Sequence, residues 1–202
     1  MPRFGPVNYS LAAFLAIWVL AVGFGQLKLL DYSNTASVGA ASPARWPESS
    51  TLARRPGRLT AVMLAHPQCP CTRASIGELA IAAAQSAGRL DIFVVFLDSP
   101  AFEVKSDLWR AAAEIPNTTV IADPGGAEIG RFGVTASGHT LLYDAEGRLL
   151  FSGGIVSARG HAGANRGRSA IVELARHGRS SVTSSPVFGC ALQNRVVSAA
   201  SR

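Results

Sequence analysis

The sequence predicts an α/β fold, a mixed sheet flanked by helices, preceded by one N-terminal transmembrane helix. Three observations predict it. Residues 11–25 are uninterrupted apolar, and the run continues through residue 30 with Lys28 as its single charge. From Arg58 onward, apolar runs of strand length alternate with segments of helical period. Late in that pattern, Asp144-Ala-Glu-Gly-Arg148 separates two apolar runs, a hairpin signal. Alternation argues a parallel core sheet, and the hairpin adds an antiparallel edge.

In chain order, residues 1–30 are read as the membrane anchor. Twenty helical residues span roughly 30 Å, enough for one crossing. Arg3 and the terminal amine outweigh the Lys28/Asp32 flank, which keeps the N-terminus in the cytoplasm and the rest in the periplasm or outside the cell. The competing reading is a cleaved signal peptide, with Val38-Gly39-Ala40 as the small-residue cleavage site. That site lies late, beyond the end of the apolar run, and an uncleaved anchor is favoured. Either way the remainder is exported, where thiols can be oxidised. Residues 31–57 are rich in Ser, Ala, Pro and Gly and read as a flexible linker, with no role assigned to Trp46.

The folded domain is placed at 58–178. Residues 58–65 form a strand and 75–85 a helix, with Ile76, Leu79, Ala80 and Ala83 on one face. Strand 90–97 follows, then helix 106–115, ended by Pro116. Strand 118–122 leads through Asp123-Pro-Gly-Gly126 into a short helical segment that ends near Phe132. Strands 139–143 and 149–152 make the hairpin. Helix 165–178 is capped by Asn165 and ended by Gly178. Residues 179–202 form a polar tail carrying Cys190, interrupted by the apolar pair Val187-Phe188.

Chemistry concentrates at the first strand-to-helix junction. Cys69 and Cys71, two of the chain's three cysteines, flank Pro70 there and follow His66. Free N–H groups and the positive dipole end at a helix N-terminus stabilise a thiolate, the form that attacks disulfides and binds soft metals. Buried cysteines are often inert packing, but this spacing after a histidine argues a thiol or metal site. The net charge of +6 comes from 17 scattered arginines and two lysines. Without interleaved aromatic residues they do not describe a nucleic-acid surface. The glycine-rich stretch 153–168, which contains His161, lacks the Gly-Lys-Ser/Thr ending of a phosphate loop and is expected to fold over the site. His177 reads as a charge in the last turn of its helix.

The element order, with paired cysteines at that junction, resembles the thioredoxin-like superfamily over residues 58–178. The passage from Asp123 through Gly147 resembles the superfamily's approach to its terminal hairpin. His66-Pro-Gln-Cys-Pro-Cys71 with a late Phe188-Gly-Cys190 is similar to the membrane-anchored proteins labelled RedB. The resemblance implies a membrane-anchored thiol–disulfide oxidoreductase acting on a protein thiol or disulfide, with no cofactor required. By that analogy Cys69 attacks, Cys71 or Cys190 resolves, and His139 and His66 tune the thiols. Two departures matter: only Pro70 separates the cysteines, and the superfamily's cis-proline maps onto Gly138, followed by His139. Loss of that proline suggests the alternative, a copper carrier resembling the Sco-type proteins, with Cys69, Cys71 and His139 as ligands. His139 is therefore expected beside the cysteine turn. Cys190 is expected to dock near Cys69 or Cys71 and exchange disulfides with them.

Overall fold

The computed structural model describes residues 9–37 and 41–192, so Arg3 and the 38–40 cleavage site lie outside the described residues. Helix α1 (Tyr9–Asn34) forms one unit; the second begins at Ala36. α1 runs 26 residues, with none buried and a mean hydropathy of 1.9 over its most apolar window. It is long and apolar enough to cross a membrane.

The second unit contains, in order, β1 (Leu59–Ala65), α2 (Pro70–Gln85), β2 (Leu90–Asp98), α3 (Asp107–Ala113) and β3 (Thr118–Pro124). It continues with α4 (Ala127–Arg131), β4 (His139–Tyr143), β5 (Leu149–Gly154), α5 (Arg166–His177) and β6 (Ser184–Ser185). The strand order in the sheet is β3-β2-β1-β4-β5-β6. β1, β2 and β3 are mutually parallel, while β4 runs antiparallel to both β1 and β5. This is a thioredoxin-like mixed sheet, with α2 springing from the carboxyl end of its central strand.

Helix α2 begins at Pro70, five residues before the start read from periodicity. The pyrrolidine ring sets a helical φ at the first position, where no N–H partner is needed, so the Cys-Pro-Cys segment is the first turn itself. Cys69 is the N-cap, with extended backbone (φ −83°, ψ 117°). Other ends follow their local chemistry. Asn165 Oδ1 accepts the Arg168 N–H at 2.8 Å, and Asp144 accepts both the N–H and Nε–H of Arg148 at 2.7 Å.

The sheet buries both faces. Ala61, Met63 and Ala65 of β1 face α2, α3 and α5, packing with Ile76, Leu79, Leu108, Ile171 and Leu174. Val62 and Leu64 face the other way, with Phe93, Val95, Leu141 and Tyr143. On that second face α4 is only five residues long. Residues 41–57, read as a flexible linker, lie against it instead. Leu52 is buried there, and Trp46 meets the rings of Phe132 and Tyr143 edge-on at 5.1 and 5.2 Å. Ser50 and Thr51 donate to the buried Glu128 carboxylate, three contacts of 2.8 Å. The reason is area: strands apolar on both faces need cover on both, and α4 alone is too short.

The tail is also part of the domain. β6 pairs parallel with β5, and Val187, Phe188 and Leu192 are buried. An apolar patch in a polar tail has somewhere to go.

Candidate functional site

The turn after β1 is closed by its own backbone. The Cys69 N–H donates to the His66 carbonyl at 3.2 Å, and Thr72 N–H donates to the Cys69 carbonyl at 3.0 Å. Cys69 is only 1% exposed, whereas Cys71 and Cys190 are partly exposed. A cleft of about 340 Å³ opens beside Cys69 between the starts of α2 and α3, lined by Pro67, Gln68, Pro70, Arg73, Asp107 and Leu108.

The tail brings a third sulfur to this turn. Residues 187–192 run antiparallel to the loop before β4, bridging at Ala136 and Ala191. Ser137 N–H donates to the Cys190 carbonyl at 2.8 Å, and Leu192 N–H to the Thr135 carbonyl at 2.9 Å. From the other side, Ser37 N–H donates to the Val187 carbonyl at 2.7 Å, and Arg159 Nη1 donates to the Gly189 carbonyl at 2.7 Å. Held this way, Cys190 Sγ stands 2.7 Å from Cys69 Sγ, across 121 positions of sequence. Gly189 makes the approach possible. A Cβ at that position would fall on the Ser137 carbonyl.

Ser137 is the joint of the arrangement. Its Oγ accepts the His66 N–H at 2.8 Å and shares a hydrogen bond with Thr72 Oγ1 at 2.6 Å, while its N–H holds Cys190. One buried serine thus ties the cysteine turn, the first turn of α2 and the tail together.

The three thiols are not equivalent. Burial pushes the Cys69 thiol up, but hydrogen bonds from the Cys190 thiol and N–H and from Thr72 outweigh it, and its pKa falls below the ordinary thiol value. Cys190 is pushed up to about 12, by burial first and then by its bond to, and the charge of, Cys69. Cys71 is raised by burial and by the Cys69 charge, partly offset by Arg159 and the Gly160 N–H. Of the pair, Cys69 is the more acidic thiol and Cys190 the one that holds its proton more tightly.

The histidines stand elsewhere. His139 is at the expected end of the sheet, paired with Leu64, but on the opposite face from α2. Its Nε2 bonds Ser152 Oγ at 2.8 Å, and Ser152 Oγ in turn meets Ser42 Oγ at 3.0 Å. Burial holds its pKa down to about 4. The expectation that His139 touches the cysteine turn fails because side chains alternate along a strand, and its place in the register sends it to the α4 side. The ligand set Cys69, Cys71 and His139 is consequently not assembled. Among the described residues no group of three or more His, Cys, Asp or Glu side chains is placed to hold a metal ion. His66 keeps its ring near the turn, but that ring accepts the Gln68 N–H at 3.1 Å and packs on Phe102 at 4.7 Å. Burial lowers its pKa. Its backbone, bonded to Cys69 and Ser137, is what shapes the site.

Sequence reasoning passed over Ser137, Thr72, Arg159 and Glu78. Arg159 lies in the 153–168 loop, which bends back so that Arg159 and Gly160 reach Cys71. Glu78, 1% exposed on α2, anchors that loop by pairing with Arg168 and accepting from Gly163 N–H and Asn165 Nδ2. An acidic residue on the buried face of an apolar helix was the one available signal. His161 is exposed, and the described contact of its ring is to the Arg159 carbonyl at 2.9 Å.

Fold and site together define a thioredoxin-like domain with a three-cysteine cluster at the N-terminus of its first domain helix. No family model matches the chain, and no curated protein matches it. Solved structures do. A hypothetical protein from Sinorhizobium meliloti 1021 is 22% identical, covering 67% of this chain and 79% of its own, with a TM-score of 0.54. An uncharacterized conserved protein from Geobacillus kaustophilus is 14% identical, covering 81% of this chain and 95% of its own, with a TM-score of 0.57. A secreted disulfide oxidoreductase of Mycobacterium tuberculosis overlaps more loosely, at 15% identity over 59% of this chain and 81% of its own, with a TM-score of 0.42. These likenesses concern the fold.

Proposed function

We propose that this chain is a membrane-anchored, extracytoplasmic thiol–disulfide oxidoreductase of the RedB type, in which Cys69 is the attacking thiolate and Cys190 the resolving thiol. The observation that carries the proposal is the Cys69–Cys190 pair, 2.7 Å apart at the start of α2, with Cys69 the more acidic of the two. α1 supports the anchor by its length and apolarity.

The chemistry follows from the geometry. Cys69 thiolate attacks one sulfur of a substrate disulfide; that S–S bond breaks, a mixed disulfide forms, and the other substrate sulfur leaves as a thiolate. Cys190 then loses its proton, which the departing thiolate can take, and attacks Cys69 Sγ. The second substrate thiol is released and a Cys69–Cys190 disulfide remains. Two electrons have passed to the substrate. A dithiol partner returns the chain to the reduced state, and the same steps reversed oxidise a substrate dithiol. Arg159 beside Cys71 and Cys190 favours thiolate at whichever sulfur is momentarily unpaired.

The test is disulfide mapping by mass spectrometry on the full chain in detergent, after one-equivalent oxidation by glutathione disulfide. The expected product links Cys69 to Cys190 and leaves Cys71 alkylatable, and Cys69 alkylates at lower pH than the other two thiols. A Cys69 that stays reduced, or that titrates last of the three, would sink the reading.

A further inference from the structure

The peptide group between Gly189 and Cys190 is held at both of its polar ends. Its N–H belongs to Cys190 and donates to the Cys69 sulfur. Its oxygen is the Gly189 carbonyl, which accepts from Ser37 Oγ at 2.9 Å and from Arg159 Nη1 at 2.7 Å. The two donors come from distant parts of the sequence: Ser37 follows α1, and Arg159 lies in the loop after β5. Ser37 grips the tail twice more. Its N–H donates to the Val187 carbonyl at 2.7 Å, and its Oγ accepts the Gly189 N–H at 3.3 Å. A hydroxyl suits this place because it donates and accepts at once.

Hydrogen bonds in series strengthen one another. A donor on a carbonyl oxygen draws electron density out of the amide and makes its N–H a better donor in turn. Here one donor is a guanidinium, and charge-assisted bonds are the stronger kind. The peptide group is also fixed in direction. Ser137 N–H holds the Cys190 carbonyl at 2.8 Å, and Cys190 Sγ lies 2.7 Å from Cys69 Sγ. The Cys190 N–H therefore has little freedom to turn away from Cys69.

We infer that Ser37 and Arg159 are positioning residues for the attacking sulfur, acting on Cys69 through the Gly189–Cys190 peptide group. This rests on the oxidoreductase reading, in which Cys69 attacks, and adds two residues to its machinery. The main chain of the tail supplies a donor to negative charge on Cys69, and it does so independently of the Cys190 side chain. The tail thus has two separable tasks: its thiol resolves the mixed disulfide, and its backbone prepares Cys69. Ser37 precedes residues 38–40 in the sequence, so the arrangement belongs to the uncleaved chain.

The experiment uses the full chain in detergent with Cys71→Ser and Cys190→Ala together, so that Cys69 is the single thiol and the tail keeps only its backbone donor. The rate of alkylation by iodoacetamide is followed against pH. Its midpoint reports the acidity of Cys69, and its plateau at high pH reports how exposed the sulfur is. Ser37→Ala and Arg159→Met, each added to this chain, should raise the midpoint by roughly half a unit to one unit. The plateau should stay within about twofold, since burial of Cys69 is unchanged. Ser37→Thr, which keeps the hydroxyl, should leave the midpoint where it was. Unmoved midpoints in both Ser37→Ala and Arg159→Met would overturn the inference and leave the oxidoreductase reading standing. So would a shift accompanied by a plateau that rises roughly tenfold or more, because the residues would then merely keep the tail in place over the sulfur. A Cys69 that fails to react with dithiobis(nitrobenzoate) at any pH would overturn the oxidoreductase reading, and this inference with it.

Discussion

Oxidation should stabilise the second unit by an amount that reports which cysteines pair. Cys69 and Cys190 are 121 positions apart. In the chain-entropy account, closing a loop of that length removes about 5 kcal/mol of freedom from the unfolded chain. A Cys69–Cys71 bridge closes a ring of only three residues and gives about 1.5 kcal/mol by the same relation. For a domain of this size the larger figure is roughly 10–20 °C in Tm. The assay is urea unfolding of the full chain in detergent, with and without reductant, followed by fluorescence of Trp46, which sits between Phe132 and Tyr143. Wild type and Cys71→Ser should show the full difference between oxidised and reduced forms; Cys190→Ser should show almost none. A redox-dependent shift that survives Cys190→Ser but vanishes in Cys71→Ser would refute the pairing and the tail's place in the mechanism.

Three further outcomes follow from groups the structure holds tightly. Ser137→Ala leaves the His66 N–H without its acceptor beside the cysteine turn and should cost about 1–3 kcal/mol; a loss under about 0.5 kcal/mol in urea unfolding would contradict its joining role. Glu78→Gln removes the carboxylate facing Arg168 and should cost roughly 3–5 kcal/mol, with Cys71 alkylating faster as the 159–165 loop loosens; unchanged thermal melting would count against it. His139 is buried with its pKa held down to about 4. The unfolded chain binds a proton there near pH 6.5 and the folded chain does not, so its contribution is complete above that pH and lost as pH falls toward 4, about 3 kcal/mol in all. His139→Gln should flatten that slope, and an equally steep pH profile in the variant would show that the acid sensitivity arises elsewhere.

The metal alternative shows how a sequence can mislead at a single position. His139 follows Gly138, which the resemblance aligns with a proline, and it does lie at the carboxyl end of β1. Distance along the chain fixed the end but not the face. The pair Leu64 and His139 faces α4, and the imidazole spends its hydrogen bond on Ser152. One residue earlier, Gly138 faces α2: a Cβ there would strike Ser75 Oγ. The period of two decides which of the neighbours sees the cysteines.

What the sequence determined by itself was whatever depends on neighbours in the chain. The strands at 58–65 and 90–97, the helix after Cys69, the Asp144–Arg148 hairpin and the apolar length of α1 are all patterns within one or two turns. The position of Cys69 at a helix start was equally local. Tertiary structure alone decided the rest. It laid residues 41–57 over a sheet face that α4 is too short to cover, although two strands apolar on both faces already signalled a missing layer. It bent the 153–168 loop so that Arg159 meets Cys71, and it carried Cys190 across the sheet to Cys69. The physical reason is that these pairings join segments distant in sequence through sheet order, register and face. Such contacts become favourable only when the whole apolar core has closed, and no local period encodes them.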